Sequence, residues 1–273
     1  HTWTDLEGRR YAALGTSKVL YIYYEGAFYD VTPLATAITG ATFSSSQNSN
    51  IVTVNKTSHS LDVGEYITFT SVSLPGGGAT SFTVADFQNF TYEIRTAPNA
   101  NTFTIQMKTN ETGSGMSAGG GATINPYEEI GPTIQTYGYG WGTSTWSRLT
   151  WGSGSTTSSV VLDPGSWSLD NFGAQLIATV KDGKTFVWNP AVSNPLEVRA
   201  TIMVNAPTAT RLTITSDRDR HVVHFGTETT IGNTATQDPM FIRFSDQENY
   251  SIYQPTSINT AGTFRLDTGN KIV

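Results

Sequence analysis

The chain has 273 residues, no Cys, a net charge of −6, 26 Gly and 14% charged side chains, against about 25% in an ordinary soluble domain. The missing thiol excludes a disulfide framework, a cysteine nucleophile and Cys-ligated zinc or iron–sulfur centres. The acidic balance argues against binding nucleic acid by broad phosphate neutralisation, and no apolar run approaches the roughly 18–20 residues of a membrane-spanning helix.

Apolar residues rarely recur at helical spacing, and Gly, Pro, Ser and Thr interrupt nearly every stretch. The fold class expected is therefore all-β. The first clear element is Val19-Leu-Tyr-Ile-Tyr-Tyr24, then Glu25-Gly26, then Ala27-Phe-Tyr-Asp-Val31 before Pro33. Aromatic and β-branched runs around an acid–Gly pair predict a hairpin.

Residues 42–125 differ in texture, being rich in Ser, Thr, Asn and Gly. Short alternating runs at Ile51–Val54, Glu65–Phe69, Tyr92–Ile94 and Thr102–Ile105 predict strands. Ser44–Asn50 and Gly113–Gly121 read as flanking loops. The stretch is expected to be a small inserted β-sandwich or barrel, with a long ornamented loop as the alternative.

The next feature is Tyr137-Gly-Tyr-Gly-Trp141 through Trp146 to Trp151. A spacing of five alternates faces on a strand, so these rings do not form one sugar-stacking platform. They read either as packing between sheets, where Gly allows close approach, or as a partner or glycan surface. Trp141, Trp146 and Trp151 are accordingly candidate interface residues.

A second hairpin is predicted at Leu176–Val180, Asp182-Gly183 and Lys184–Trp188, ending at Pro190. Gly26 to Pro33 and Gly183 to Pro190 share one separation, each with an acid before the Gly. A looser copy runs Arg211–Thr215, a polar turn at Ser216–Arg220, then His221–Phe225. Repetition of this kind predicts an antiparallel β-propeller-like sheet array over residues 1–41 and 126–273, with 42–125 set into it. His1 already lies inside patterned sequence and Lys271-Ile-Val273 begins an apolar run, so the expectation is a segment of a longer polypeptide.

Chemistry-bearing motifs are sparse. Gly183-Lys184-Thr185 has the ending of a phosphate-binding loop, but Ala178 stands where its first Gly belongs. His221 and His224, three apart on a strand, point to opposite faces and do not chelate one ion. His59 has no ligand-type neighbour at a useful spacing. Asp217-Arg218-Asp219-Arg220 reads as a self-neutralising polar turn, or as an inter-subunit ion-pair site. Glu128, Glu129, Asp163, Asp170, Asp238 and Asp246 are available as acids, yet no pair stands out as a glycosidase couple. No Gly-x-Ser-x-Gly elbow is present. Neither a metal nor another cofactor is expected.

The segments Trp167-Ser-Leu-Asp-Asn-Phe-Gly173, Gln175-Leu-Ile177, Asp182-Gly183, Trp188, Arg220-His-Val-Val223, Asp238-Pro239 and Phe244–Asn249 resemble a group of virion structural proteins of tailed bacteriophages. Gly15-Thr16, Tyr21–Tyr24, Tyr29–Pro33 and Asn259–Gly262 are similar to the same group, and His59–Gly64 and Asn101–Ile105 to small β modules that decorate phage proteins. The resemblance implies a non-enzymatic tail component, a nozzle or hub ring with β-propeller-like sheets that forms part of the DNA-ejection conduit. It further implies a homo-oligomeric ring, of hexameric or other ring symmetry, that contacts other tail or adaptor proteins and lets DNA pass without specific binding. No active site transfers with it. The alternative is a glycan-binding adhesin or receptor-binding tail protein using the Trp141–Trp151 region or the insert, and a polysaccharide depolymerase is third.

Overall fold

A computed structural model describes residues 1–75, 80–117, 119–131, 165–190, 196, 198–270 and 272. They belong to two compact units, one of His1–Val31 with Ile130–Val273 and the other of Thr32–Glu129. Antiparallel sheets dominate both, in agreement with the all-β expectation.

The split unit begins with β1 (Thr2–Thr4), β2 (Arg10–Gly15), β3 (Leu20–Tyr24) and β4 (Ala27–Asp30), an antiparallel sheet in chain order. Alternation buries Tyr11, Ala13, Leu20 and Ile22 on one face. Glu25 and Gly26 both take positive φ, 47° and 86°, the backbone of the tight hairpin turn whose twist matches its strands.

The chain then enters the inner unit. Its elements are β5 (Ile38–Ser45), β6 (Ile51–Asn55), β7 (Tyr66–Ser73), α1 (Val84–Gln88), β8 (Tyr92–Glu93), β9 (Thr96–Asn99), β10 (Thr102–Gln106) and β11 (Gly119–Pro126). Seven strands form one sheet in the order β8-β7-β11-β5-β6-β10-β9. Four register shifts interrupt it, one between β10 and β9 and three, at left-handed residues, that curl its middle. One extra residue lies on β11 at Gly120 (φ 73°), one on β5 at Gly40 (φ 78°) and one on β7 at Ser71 (φ 50°). A left-handed residue at a bulge bends its strand and raises the local twist. The far ends meet because β8 pairs with β7 while β9, which follows directly, pairs with β10. Ile94 N–H donates to Glu65 C=O and Arg95 N–H to Thr104 C=O, both at 2.9 Å. The insert is thus a single curled sheet, not two packed ones. Phe43, Phe69, Phe103, Ile105 and Ile124 fill its interior. The short helix α1 starts at a capping box in which Thr83 and Asp86 satisfy each other's backbone N–H groups. It lays Phe87 against Phe43 with ring centroids 4.6 Å apart.

The outer chain resumes with β12 (Trp167–Phe172), β13 (Gln175–Val180), β14 (Thr185–Trp188) and β15 (Thr201–Ile202), followed by β16 (Leu212–Thr215), β17 (Val222–Phe225), β18 (Phe241–Phe244) and β19 (Gly262–Arg265). Each set of four is an antiparallel sheet in chain order. Three such four-stranded meanders are the kind of unit from which propeller blades are built. Trp188 packs edge-on to Trp3 and Tyr11, at 6.2 and 5.5 Å between centroids, which joins the first sheet to the second. Arg199 grips Asp30 with two hydrogen bonds at 3.2 and 3.1 Å. The second and third sheets are tied through Ser168 Oγ to Thr213 C=O at 2.8 Å and Thr215 N–H to Asp170 Oδ2 at 2.6 Å.

Two sequence expectations are corrected in detail. The matched hairpins exist, but they occupy different places: third and fourth strands of one sheet, second and third of the next, first and second of the last. The Gly–Pro spacing therefore marks turn chemistry and not the phase of the sheet repeat. The inner unit also spans Thr32–Glu129, wider than 42–125. β5 runs on into the Ser44–Asn50 flank and β11 begins inside the Gly113–Gly121 flank, both of which read as loops. Gly in a strand interior marks a bulge as readily as a break.

Candidate functional site

The charged turn predicted as an interface joins β16 to β17. Ser216 N–H donates to His221 C=O at 2.8 Å and Arg220 N–H to Ser216 C=O at 2.9 Å. Asp217, Arg218 and Asp219 are exposed at its tip. Arg220 is not with them: it is half-buried, left-handed at φ 51°, and its guanidinium lies 5.4 Å over the Phe172 ring. A cation over an aromatic face within this distance is an attractive contact, so this Arg packs inside its own unit. Trp141, Trp146, Trp151 and Asp163 lie outside the described residues. The two histidines divide as their spacing predicts. His221 Nδ1 pairs with Ser245 C=O at 2.7 Å, whereas His224 is fully buried.

Four of the described carboxylates hold loops and turns in place. Asp238 accepts from Met240 N–H at 2.9 Å and Arg265 Nε at 2.7 Å, and these two donors hold it below the usual carboxylate range. Asp246 is lowered by the Thr260 N–H at 2.8 Å and the Thr260 hydroxyl at 2.7 Å. In the insert, burial pushes fully buried Glu111 up. The Thr80 hydroxyl, the Ser81 and Gly113 N–H groups and the Ser81 hydroxyl outweigh that and bring it down to about 2. Buried Glu228 accepts from Thr208 N–H at 2.9 Å, the Thr208 hydroxyl at 3.0 Å and Gly232 N–H at 2.5 Å.

Glu228 belongs to a polar layer beneath the third sheet. His224 Nδ1 lies 3.3 Å from Thr210 Oγ1 and 3.2 Å from Thr213 Oγ1, and its Nε2 lies 3.0 Å from the Tyr253 hydroxyl. Burial, helped by the nearby Arg243 charge, lowers His224 to about 3, so the imidazole is neutral. Burial pushes the Tyr253 phenol up. Arg243 donates to Thr229 C=O at 2.8 Å, while its Nε has no partner among the described residues. The Thr, His and Tyr groups of this layer satisfy one another, which makes it a structural network.

An open cleft of about 410 Å³ lies on the outer face of the insert, lined by Phe90–Glu93, Arg95 and Gln106–Lys108. Strand alternation builds it. Tyr92 and Ile94 are buried while Glu93 and Arg95 face outward, and Phe103, Ile105 and Met107 are buried while Gln106 and Lys108 face outward. Gln106 Oε1 accepts from Arg95 Nε at 3.2 Å and Nη2 at 2.7 Å, and Glu93 lies 3.8 Å from Arg95 Nη1. Lys108 Nζ sits 3.5 Å above the centre of the Phe90 ring. Two cations and one anion give the cleft a local charge of +1 on a chain of −6. Sequence reasoning passed over these residues, although the alternation in Tyr92–Arg95 and Phe103–Lys108 already sorts them onto one face.

No protein-family model matches the chain and no curated protein matches it. Among solved structures, a likeness is found to a chain titled Phage phi92 endosialidase, at 13% identity and a TM-score of 0.27. That likeness covers 96% of this chain, which spans 38% of the other.

Proposed function

We propose that the chain is a non-enzymatic structural component of a bacteriophage tail, one element of a nozzle or hub ring around the DNA conduit. The sequence resemblance supplies the setting. The observation that carries the structural reading is the outer face of the first sheet, where Leu14, Tyr23 and Phe28 are 44%, 41% and 61% exposed. Tyr23 and Phe28 are a cross-strand pair with ring centroids 5.0 Å apart. An aromatic cluster left in water on a rigid sheet is a surface made for lateral packing. Asp238, Asp246 and Glu111, lowered by donors that fasten loops, act as structural carboxylates.

In the assembled ring the first-sheet face abuts a neighbouring copy, and an acidic, lightly charged wall does not retain moving DNA. Electron cryo-microscopy of intact particles tests this. Density for the chain in the tail, with Tyr23 and Phe28 buried between copies, is expected; density elsewhere in the particle overturns it. A second reading, an adhesin that contacts host glycans, is favoured by the cleft on the insert.

A further inference from the structure

We propose that the cleft at Phe90, Arg95, Gln106 and Lys108 binds an acidic saccharide, with the sugar carboxylate as the recognised group. The argument starts from the two cations. Each is positioned by its own neighbours before any ligand arrives. The Gln106 amide oxygen and Glu93 hold the Arg95 fork, and the Phe90 ring carries the Lys108 ammonium. A charge fixed in place loses little side-chain entropy on binding. Both belong to exposed side chains, and no carboxylate pairs with Lys108 among the described residues. The Gln106 amide nitrogen likewise has no partner among them, and it lies beside Arg95 as a second donor.

The remainder of the lining is mixed, with Thr91 and Glu93 beside Tyr92 and Met107. Glu93 and the Thr91 hydroxyl, which lies 2.9 Å from the Tyr127 hydroxyl, offer oxygens to sugar hydroxyls. A volume of about 410 Å³ falls within the range of small-molecule clefts. A guanidinium, an ammonium and an amide around an oxygen-lined hollow fit a carboxylate attached to a polyol. A nucleotide base finds the Phe90 face already covered by Lys108. Because the chain as a whole is acidic, the local positive charge also discriminates: an acidic polymer is repelled generally and held here.

The inference deepens the adhesin reading, and its test is separate from the test of the tail shell. Particle density decides the shell, and saccharide binding decides the cleft, so either fails alone. Calorimetric titration of the 273-residue chain with a glucuronic acid–N-acetylglucosamine disaccharide at low ionic strength is expected to give saturable binding. The same disaccharide with its carboxylate reduced to an alcohol is expected to bind at least about tenfold more weakly, as a lost charge-assisted contact implies. Lys108→Gln and Arg95→Gln are expected to weaken the acidic sugar by a similar factor with melting temperature unchanged, and Lys108→Arg to retain it. Equal affinity for the acid and the alcohol overturns the proposal. So does absence of binding, indifference to Lys108→Gln, or sulfate ion binding as tightly as the disaccharide.

Discussion

Glu111 and His224 are the residues whose chemistry is most committed to folding, and both make stability depend on pH. Glu111 is held near 2 against an ordinary 4.5, because its donors favour the ionised form. A carboxylate lowered by folding contributes its full stability above the unfolded value. That contribution is lost as pH falls from about 4.5 towards 2. His224 is lowered to about 3 from 6.5 by burial. Its neutral form is the folded one, so its contribution is complete above about 6.5 and drains away as pH falls towards 3. A single proton taken up on unfolding gives a slope of about 1.4 kcal/mol per pH unit in that window. Chemical denaturation at stepped pH should therefore show stability declining below pH 6.5 and more steeply below 4.5. His224→Gln should flatten the upper part of the decline while costing stability at pH 7. An unchanged slope between pH 6 and 5 in that variant would remove His224 from the account. Glu111→Gln should cost about 2 kcal/mol at pH 7 through weakened charge-assisted bonds and remove the lower part of the decline.

At the scale of elements, the turns and bulges decide where each strand goes. Gly26 and Gly120 both take left-handed φ, at 86° and 73°, but their surroundings differ. A methyl at position 26 meets nothing within 4 Å, whereas one at position 120 drives into the Ser73 carbonyl oxygen. Gly26→Ala should cost only the backbone preference, about 1–2 kcal/mol. Gly120→Ala adds an overpacked backbone contact and should cost about 1–3 kcal/mol beyond that. Equilibrium unfolding of the two variants ranks them, and equal losses would mean that the β11 bulge relaxes freely. The hairpins themselves were legible. Glu25-Gly26 and Asp182-Gly183 announce turns because their residue types tolerate the required backbone, with Asp182 indeed at φ 57°. The bulges were not, since nothing local separates Gly120 in a strand from Gly119 or Gly121 in the loop that the run of glycines suggested. Only the pairing of β11 with both β5 and β7 settles it.

Across the whole chain, the inner unit is a self-contained piece. Its entry and exit run side by side: Ala35 N–H donates to Pro126 C=O and Glu128 N–H to Pro33 C=O, both at 2.9 Å. Its core is continuous from Ala41 to Ile124. Residues 32–129 produced alone should consequently unfold in one cooperative transition with a native-like far-ultraviolet spectrum. A gradual, non-cooperative melt would show that the core needs the rest of the chain. Adjacent ends are also the physical condition for setting one domain into a surface connection of another.

The sequence by itself determined the class of fold. Strand alternation, aromatic runs and turn residues are local quantities, set by neighbours one to four positions apart. It also placed His221 and His224 on opposite faces. The tertiary structure alone decided which strands share a sheet, where the bulges fall, and that Arg220 turns inward onto Phe172. It alone brought Arg95 within 2.7 Å of Gln106 and set Lys108 over Phe90. These partners lie 11 and 18 positions apart in the chain. Their meeting depends on the closure of a curled sheet, a property of the whole unit that no window of sequence contains.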